Sequence, residues 1–62
     1  MKIHLTLVRK ANSLTQQELS QRVGVSRQTI NNIEKGRYNP SIELVLKIAQ
    51  ELDCKVEELF AL

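Results

Sequence analysis

Residues 15–35, TQQELSQRVGVSRQTINNIEK, decide the fold of this 62-residue chain. Apolar residues recur at helical spacing on both sides of Gly24, and a small residue, Ser20, stands at the crowded position before it. Glycine enters the left-handed backbone conformation at low cost, so it suits a tight bend. The stretch therefore predicts two short helices that share one core. Its apolar members are Leu19, Val23, Val25, Ile30 and Ile33.

The ends of these two helices carry capping signals. Thr15 and Glu18 match a capping box, in which each side chain accepts a hydrogen bond from a backbone N–H of the other residue. Ser26 is a natural N-cap for the second helix, which should end at Lys35 with Gly36 as its stop. Two helices joined by a short glycine turn form the helix-turn-helix unit, whose second helix can enter the major groove of DNA.

Helical patterns also flank this unit. A helix is predicted over residues 4–11 with Leu5 and Val8 inward, and another is predicted to open at Asn39 and Pro40. The apolar face of the latter is Ile42, Val45, Ile48, Ala49 and Leu52. A short last helix over residues 56–59 should turn Val56, Leu59 and Phe60 inward, although Lys55 is a poor cap. Strand signals are nearly absent, so we expect an all-α, five-helix bundle as one domain over residues 1–62.

Composition excludes several classes of protein. A single cysteine, Cys54, cannot form an intramolecular disulfide and is expected to be a buried, inert thiol. Neither a zinc-like Cys/His spacing nor a catalytic Ser/His/Asp set is present, and His4 should be solvated. We therefore expect no enzyme, no cofactor and no small-molecule ligand. Apolar runs are too short to cross a bilayer and no signal-peptide core is visible, which predicts a cytoplasmic protein.

Charge is divided unevenly along the chain. Residues 1–40 hold seven Lys and Arg against two Glu, a net +5, whereas residues 41–62 hold two Lys against five acidic residues, a net −3. The basic part contains the helix-turn-helix. This asymmetry suits one surface that faces phosphates and another that stays in solvent.

With these residues in view, the chain resembles the helix-turn-helix regulators typified by Cro and the phage repressors, the XRE family. The resemblance covers about residues 5–60, and its strongest segments are LTQQELSQRVGVSRQTINNIEKGRYNPS and VEELF. It implies a lambda-repressor-like fold that binds double-stranded DNA. The implied base contacts are Arg27, Gln28 and Asn32, with Asn31 and Thr29 at the margin. It also implies that Gln16 holds a phosphate and braces the second helix, and that the backbone-facing loop is Arg37, Tyr38 and Asn39.

Chemistry supports the same face. Since Ile30 and Ile33 must face the core, residues 27, 28, 31 and 32 point outward, where Arg, Gln and Asn are the side chains that pair with base edges. Arg22 and Lys35 are further candidates for phosphate contact. The resemblance implies an ion pair between Arg9 and Glu34, which we favour over a phosphate contact for Arg9. Tyr38 has two open interpretations, packing within the loop or donation to a phosphate.

A second apolar stripe on the first helix suggests self-association. Ile3, Leu7 and Ala11 lie outside the core face, and something must cover Leu7. The hypothesis is a homodimer through this stripe or through the C-terminal Leu59, Phe60 and Leu62; the alternative is that Phe60 and Leu62 cover Leu7 within one chain. A dimeric repressor reading a near-palindromic operator is the predicted function. An antitoxin-like protein-interaction module is the alternative, while the low net charge argues against a purely architectural DNA binder.

Overall fold

The computed structural model describes residues 2–62, in which five helices and two very short strands surround one core. The helices are α1 (Leu5–Ala11), α2 (Gln16–Val23), α3 (Arg27–Glu34), α4 (Ile42–Glu51) and α5 (Val56–Leu59). The strands are β1 (Lys2–Ile3) and β2 (Phe60–Ala61). The predicted five-helix architecture with a central helix-turn-helix is confirmed. None of these helices is long and apolar enough to cross a membrane.

The predicted caps of α2 and α3 are present. The Glu18 N–H donates to Thr15 Oγ1 at 3.0 Å, and the Thr15 N–H donates to Glu18 Oε1 at 2.9 Å, which completes the capping box. Ser26 caps α3 by accepting from the Thr29 N–H at 3.1 Å. Gly24 takes the left-handed conformation, with φ at 80°, at the end of α2. Because these caps fix where each helix starts and stops, α3 follows α2 after only three residues.

Replacing Gly24 by alanine should destabilise the domain by about 1–2 kcal/mol through backbone strain alone. An added Cβ would meet no heavy atom within 4 Å, so no steric clash contributes to the cost. Urea unfolding of Gly24→Ala against wild type measures the difference. A variant as stable as wild type would show that the turn relaxes out of the left-handed region.

The core is formed where α2, α3 and α4 meet, with α1 and α5 closing it. Its fully buried apolar side chains are Leu5, Leu19, Ile30, Ile33, Ile48 and Leu59. Ser20 is buried among them and donates its hydroxyl to the Gln17 carbonyl oxygen at 2.7 Å, so the small polar residue costs no unpaired group. Burial on this scale is the main source of stability in so small a chain.

The predicted opening of α4 is wrong by two residues. Ser41 is the N-cap and accepts from the Leu44 N–H at 3.2 Å, so the helix begins at Ile42 and not at Pro40. Leu44 lies one turn before Ile48 and shares its inward face, whereas Ile42 lies six residues before Ile48 and does not. Leu44 is therefore buried, while Ile42 is 78% exposed and does not join the core as predicted.

The prediction of no strands is also incomplete. Strands β1 and β2 pair antiparallel, with Lys2 opposite Ala61 and Ile3 opposite Phe60. The His4 N–H extends the ladder by donating to the Leu59 carbonyl oxygen at 2.7 Å, so His4 precedes α1 as its N-cap. Two-residue strands are too short to show an alternating pattern in sequence. This sheet joins the two ends of the chain beside α5.

The last helix matches its predicted bounds, whereas Cys54 does not match its predicted burial. Helix α5 has no side-chain cap at Lys55, and Leu59 is its buried anchor, with Val56 and Phe60 partly buried against the core. Cys54 is half-buried, and its partial burial raises the pKa of the thiol, with the nearby Glu58 and Asp53 acting in the same direction. A raised pKa keeps the thiol protonated and unreactive.

Candidate nucleic-acid interface

The outward face of α3 is polar and takes no part in the apolar core. Ile30 and Ile33 are fully buried, which turns residues 27, 28, 31 and 32 away from the core. Arg27 and Gln28 are exposed, and Asn31 and Asn32 are half-buried. Lys35 follows one turn later on the same side and is exposed. Five donor-bearing side chains thus lie along one surface about two turns long.

Arg27 stands in a place that helix stability does not favour. It is the first residue of α3, where the helix dipole disfavours a cation, and no acidic residue occupies that first turn. Arg27 also takes no part in the ion pairs formed within residues 2–62. A cation placed against the dipole and without a partner is free to meet an anion or a base edge outside the protein.

Gln28 and Asn32 form a pair along the exposed ridge. Gln28 Nε2 donates to Asn32 Oδ1 at 3.2 Å across one helical turn. Both groups are amides, so the bond is equally good after both amides turn over together. In either orientation the pair leaves one amide oxygen and one NH₂ group open to a base edge, and the turnover exchanges which residue supplies which.

Gln16 joins the start of α2 to α3. Its Nε2 donates to Glu34 Oε1 at 2.9 Å and to Asn31 Oδ1 at 3.3 Å. Both side-chain N–H groups are therefore engaged, which leaves the acceptor oxygen of this amide for other partners. A phosphate oxygen cannot bind there, because it is also an acceptor. The first-turn backbone N–H of Gln16 has no intrahelical acceptor and remains suited to an anion.

A buried ion pair lies behind this bridge. Arg9 Nε donates to Glu34 Oε2 at 2.6 Å and Arg9 Nη2 donates to Glu34 Oε1 at 3.2 Å, while Arg9 Nη1 donates to the Leu14 carbonyl oxygen at 2.8 Å. The side chains of Arg9 and Glu34 are only 9% and 6% exposed. This geometry ties α1 to the last turn of α3 and leaves Arg9 no free face for a phosphate. It also supplies the cation that an acidic residue near a helix C-terminus needs.

Two opposing effects act on the pKa of Glu34. Burial by itself would raise it, but hydrogen bonds from Arg9 and Gln16, with the charge of Arg9, outweigh burial and lower the pKa below its ordinary value. The carboxylate is therefore ionised throughout the physiological range. A group that is always ionised is a fixed acceptor, with no hydrogen to donate.

Acid should weaken the fold partly through Glu34. Because its folded pKa is below the unfolded value of about 4.3, the unfolded chain binds more protons at acidic pH. The stability contributed by this group is complete above that value and is lost as the pH falls through the folded pKa. Urea unfolding between pH 6 and pH 3 should therefore show a shallower loss for Glu34→Gln than for wild type. Parallel curves would contradict the linkage.

The other side chains predicted to contact phosphates lie in two places. The loop after α3 brings Lys35, Arg37 and Asn39 to the surface, and the Arg37 N–H donates to the Asn32 carbonyl oxygen at 2.8 Å, so the loop folds back on the end of α3. Arg22 instead lies at the end of α2, where Arg22 Nη1 is 3.9 Å from Glu51 Oε2. That pair is exposed, and a phosphate would have to compete with Glu51.

Tyr38 lies where the loop passes the bend. It lines a shallow depression beside Val25 and Leu44 and is exposed. The ring therefore has both a packing surface and access to solvent. Packing within the loop and donation to a phosphate both stay predictions for Tyr38.

Apolar surface is left open on two parts of the molecule. Leu7 is 69% exposed and Leu62 is exposed too, so the alternative in which Leu62 covers Leu7 within one chain does not hold. Leu59 is fully buried, which removes it from the predicted dimer surface. The other apolar part is an opening of about 560 Å³ between the start of α4 and β2. It is lined by Pro40, Ile42, Val45, Val56 and Phe60 beside Asn39. We call this opening the α4–β2 groove.

The sequence predicts that Gln16 braces α3 but does not identify its partners, which are Asn31 and Glu34. The Gln16–Asn31 contact depends on the angle between α2 and α3, which no local pattern encodes. Among residues 2–62, no cluster of His, Cys, Asp and Glu is arranged to hold a metal.

Comparison with known proteins agrees with this geometry. The helix-turn-helix family model matches residues 5–59. An uncharacterized HTH-type transcriptional regulator of Methanocaldococcus jannaschii is 48% identical over 60 residues, covering 97% of this chain and 91% of that protein. The crystal structure of the P22 c2 repressor in complex with a synthetic operator has a TM-score of 0.89 at 25% identity, covering 98% and 97% of the two chains. Antitoxin HipB of Escherichia coli K12 is 37% identical over 49 residues, 79% of this chain and 56% of that protein.

Proposed function

Since the chain belongs to the helix-turn-helix family of XRE-type transcriptional regulators, we propose that it is a sequence-specific repressor. In this proposal α3 lies in the major groove of a near-palindromic operator and two copies of the chain read the two half-sites. Arg27, Gln28 and Asn32 contact base edges, with Asn31 beside them. Arg pairs with guanine O6 and N7, and Gln or Asn pairs with adenine N6 and N7.

The observation that carries the proposal is the outward face of α3. Its polar side chains neither pack nor join the buried ion pair, and Arg27 stands against the helix dipole. Residues whose placement disfavours the helix and gains no compensating contact within the protein are expected at functional sites. The similarity to the P22 c2 repressor, solved on an operator, supports DNA as the ligand.

Phosphate contacts would hold this helix in register. We assign them to Lys35, Arg37, Tyr38 and Asn39 around the end of α3, and to Gln16 through its backbone N–H because its amide is engaged. Arg22 would contribute less, since Glu51 already neutralises part of its charge. Such contacts supply affinity that depends on salt and little on sequence.

Selection from a randomised duplex pool tests the proposal directly. Purified protein is incubated with the pool at moderate salt, and the bound fraction is sequenced. An enriched inverted repeat is expected, with half-sites about one helical turn apart. Enrichment of a lone half-site would keep DNA reading and remove the dimer. If no sequence is enriched even at low salt, the protein is not a sequence-specific DNA reader.

We propose that the second copy covers the α4–β2 groove. This groove combines the 78% exposed Ile42 with Phe60, which belonged to the predicted dimer surface. Leu7 belongs to the alternative surface. It does not line the α4–β2 groove, and it is 69% exposed. A second copy of the chain is the occupant that a palindromic operator requires.

Ile42→Lys should convert a dimer into a monomer, because a charge would be buried in an apolar interface. Sedimentation equilibrium of wild type, Ile42→Lys and Leu7→Lys measures the mass of each. We expect the wild type and Leu7→Lys to sediment as dimers and Ile42→Lys as a monomer. If Leu7→Lys alone dissociates, the interface is on α1, and a monomeric wild type would refute self-association.

A second candidate function has support of its own. The similarity to Antitoxin HipB and the open apolar groove favour a protein-interaction module, in which this fold binds another protein. The pool selection separates the two functions. Indifference to DNA, together with a stable complex with a partner protein, would favour the interaction module.

A further inference from the structure

We propose that Asn31 reads DNA only as a hydrogen-bond donor, and that Glu34 imposes this polarity through Gln16. The inference deepens the proposed function and rests on it. Its basis is a chain of three side chains in which each bond fixes the direction of the next. The group it selects on the base edge is an acceptor oxygen, O6 of guanine or O4 of thymine, over the amino group that adenine or cytosine presents at the same place.

Glu34 sets the donor-to-acceptor direction of these hydrogen bonds. Its carboxylate accepts from Arg9 through both oxygens and has a lowered pKa, so it carries no proton to donate. Gln16 lies 2.9 Å from Glu34 Oε1 and can meet an acceptor only with its NH₂ group. The orientation of the Gln16 amide is therefore set by chemistry.

The same NH₂ group then orients Asn31. The second N–H of Gln16 Nε2 points at Asn31 from 3.3 Å, so Asn31 must offer its oxygen on that side. Asn31 Nδ2 consequently points the other way. Every buried side-chain polar atom among residues 2–62 has a hydrogen-bond partner, and Asn31 Nδ2 has none within the protein, so this nitrogen is open to solvent.

A donor facing the groove discriminates between bases. An asparagine with free rotation pairs with adenine by accepting from N6 and donating to N7. With its oxygen turned toward Gln16, Asn31 presents its NH₂ group to the groove and no acceptor to adenine N6 or cytosine N4. Guanine and thymine present an oxygen at the corresponding place.

The contrast with Asn32 supports this assignment. Asn32 accepts from Gln28, and that exposed pair can turn over as a unit because neither amide meets a charged group. Asn32 can therefore present either a donor or an acceptor to a base, whereas Asn31 presents only a donor. The two adjacent asparagines of α3 would read by different rules.

The test is pool selection with wild type, Gln16→Met, Asn31→Asp and the matched control Gln17→Met. Gln17 is an exposed neighbour on α2, and its side chain makes no hydrogen bond within residues 2–62. The position read by Asn31 is the one at which Asn31→Asp alters the preferred base. There we expect wild type to prefer guanine or thymine over adenine or cytosine by at least about fivefold.

Each variant has a defined expectation. Gln16→Met frees the Asn31 amide, so adenine should become as acceptable as guanine at that position. Asn31→Asp presents an acceptor outward and should switch the preference to cytosine or adenine. Gln17→Met should match wild type, and thermal melting of each variant establishes that it is folded.

Several results would overturn the inference. They are a wild-type preference for adenine at that position, an unchanged preference in Gln16→Met, and no position altered by Asn31→Asp. Reduced binding of Gln16→Met to random DNA with an unchanged base preference would instead place a phosphate on the Gln16 side chain, which also refutes it. Failure of the wild type to enrich any sequence would refute the proposed function itself, a separate outcome.

Discussion

Replacing Glu34 by alanine should cost about 3–5 kcal/mol of unfolding free energy. The change leaves the Arg9 guanidinium buried without its carboxylate, and it removes the acceptor that orients Gln16. A domain of this length is expected to be stable by only about 3–9 kcal/mol in total. Much of the population should therefore be unfolded at 37 °C, as circular dichroism and urea titration would show.

A double replacement is the control for that effect. Arg9→Met with Glu34→Leu removes both charges together, and part of the lost stability should return because no buried charge is left unpaired. A loss below about 1 kcal/mol for Glu34→Ala would be typical of exposed ion pairs. That result would mean that solvent reaches this pair readily.

Replacing Arg27 by alanine should weaken DNA binding and spare stability, unlike the replacement of Glu34. We expect about 1–3 kcal/mol less binding to the selected operator, or about 5- to 150-fold in affinity, with far less change on random DNA. Thermal stability should stay the same or rise slightly, since a cation leaves the start of α3. Fluorescence anisotropy on the two DNAs and a melting curve measure both effects.

Arg37→Ala is the matched comparison. It removes an exposed cation from the loop after α3, so both DNAs should be weakened alike and the slope of log affinity against log salt should fall by about 1. Equal losses on both DNAs for Arg27→Ala would contradict its role as a base contact. The two arginines would then act alike, through phosphates.

Local chemistry made much of the fold predictable. The capping box at Thr15, the N-cap at Ser26 and the left-handed Gly24 all act within a few residues, and each is present. The start of α4 differs from the prediction because Pro40 and Ser41 both favour a helix start, and the Ser41 side chain caps the later one by accepting from the Leu44 N–H. Short strands whose partners are about sixty residues apart leave no local signal.

The candidate site was predictable to a different extent. Periodicity alone identifies the outward residues of α3, because the buried isoleucines fix the opposite face. The pairing of Arg9 with Glu34 came from resemblance, since the two are 25 residues apart and no spacing rule joins them. The engagement of both Gln16 N–H groups follows from the angle between α2 and α3, a tertiary property.

The strand pair at the chain ends has a consequence for the order of folding. Pairing of β1 with β2 closes the longest loop in the domain, so these contacts form at the greatest entropic cost. Helices α2 and α3, by contrast, meet across a three-residue connection and can pack while the ends are apart. We therefore expect α2 and α3 to pack on each other before β1 pairs with β2.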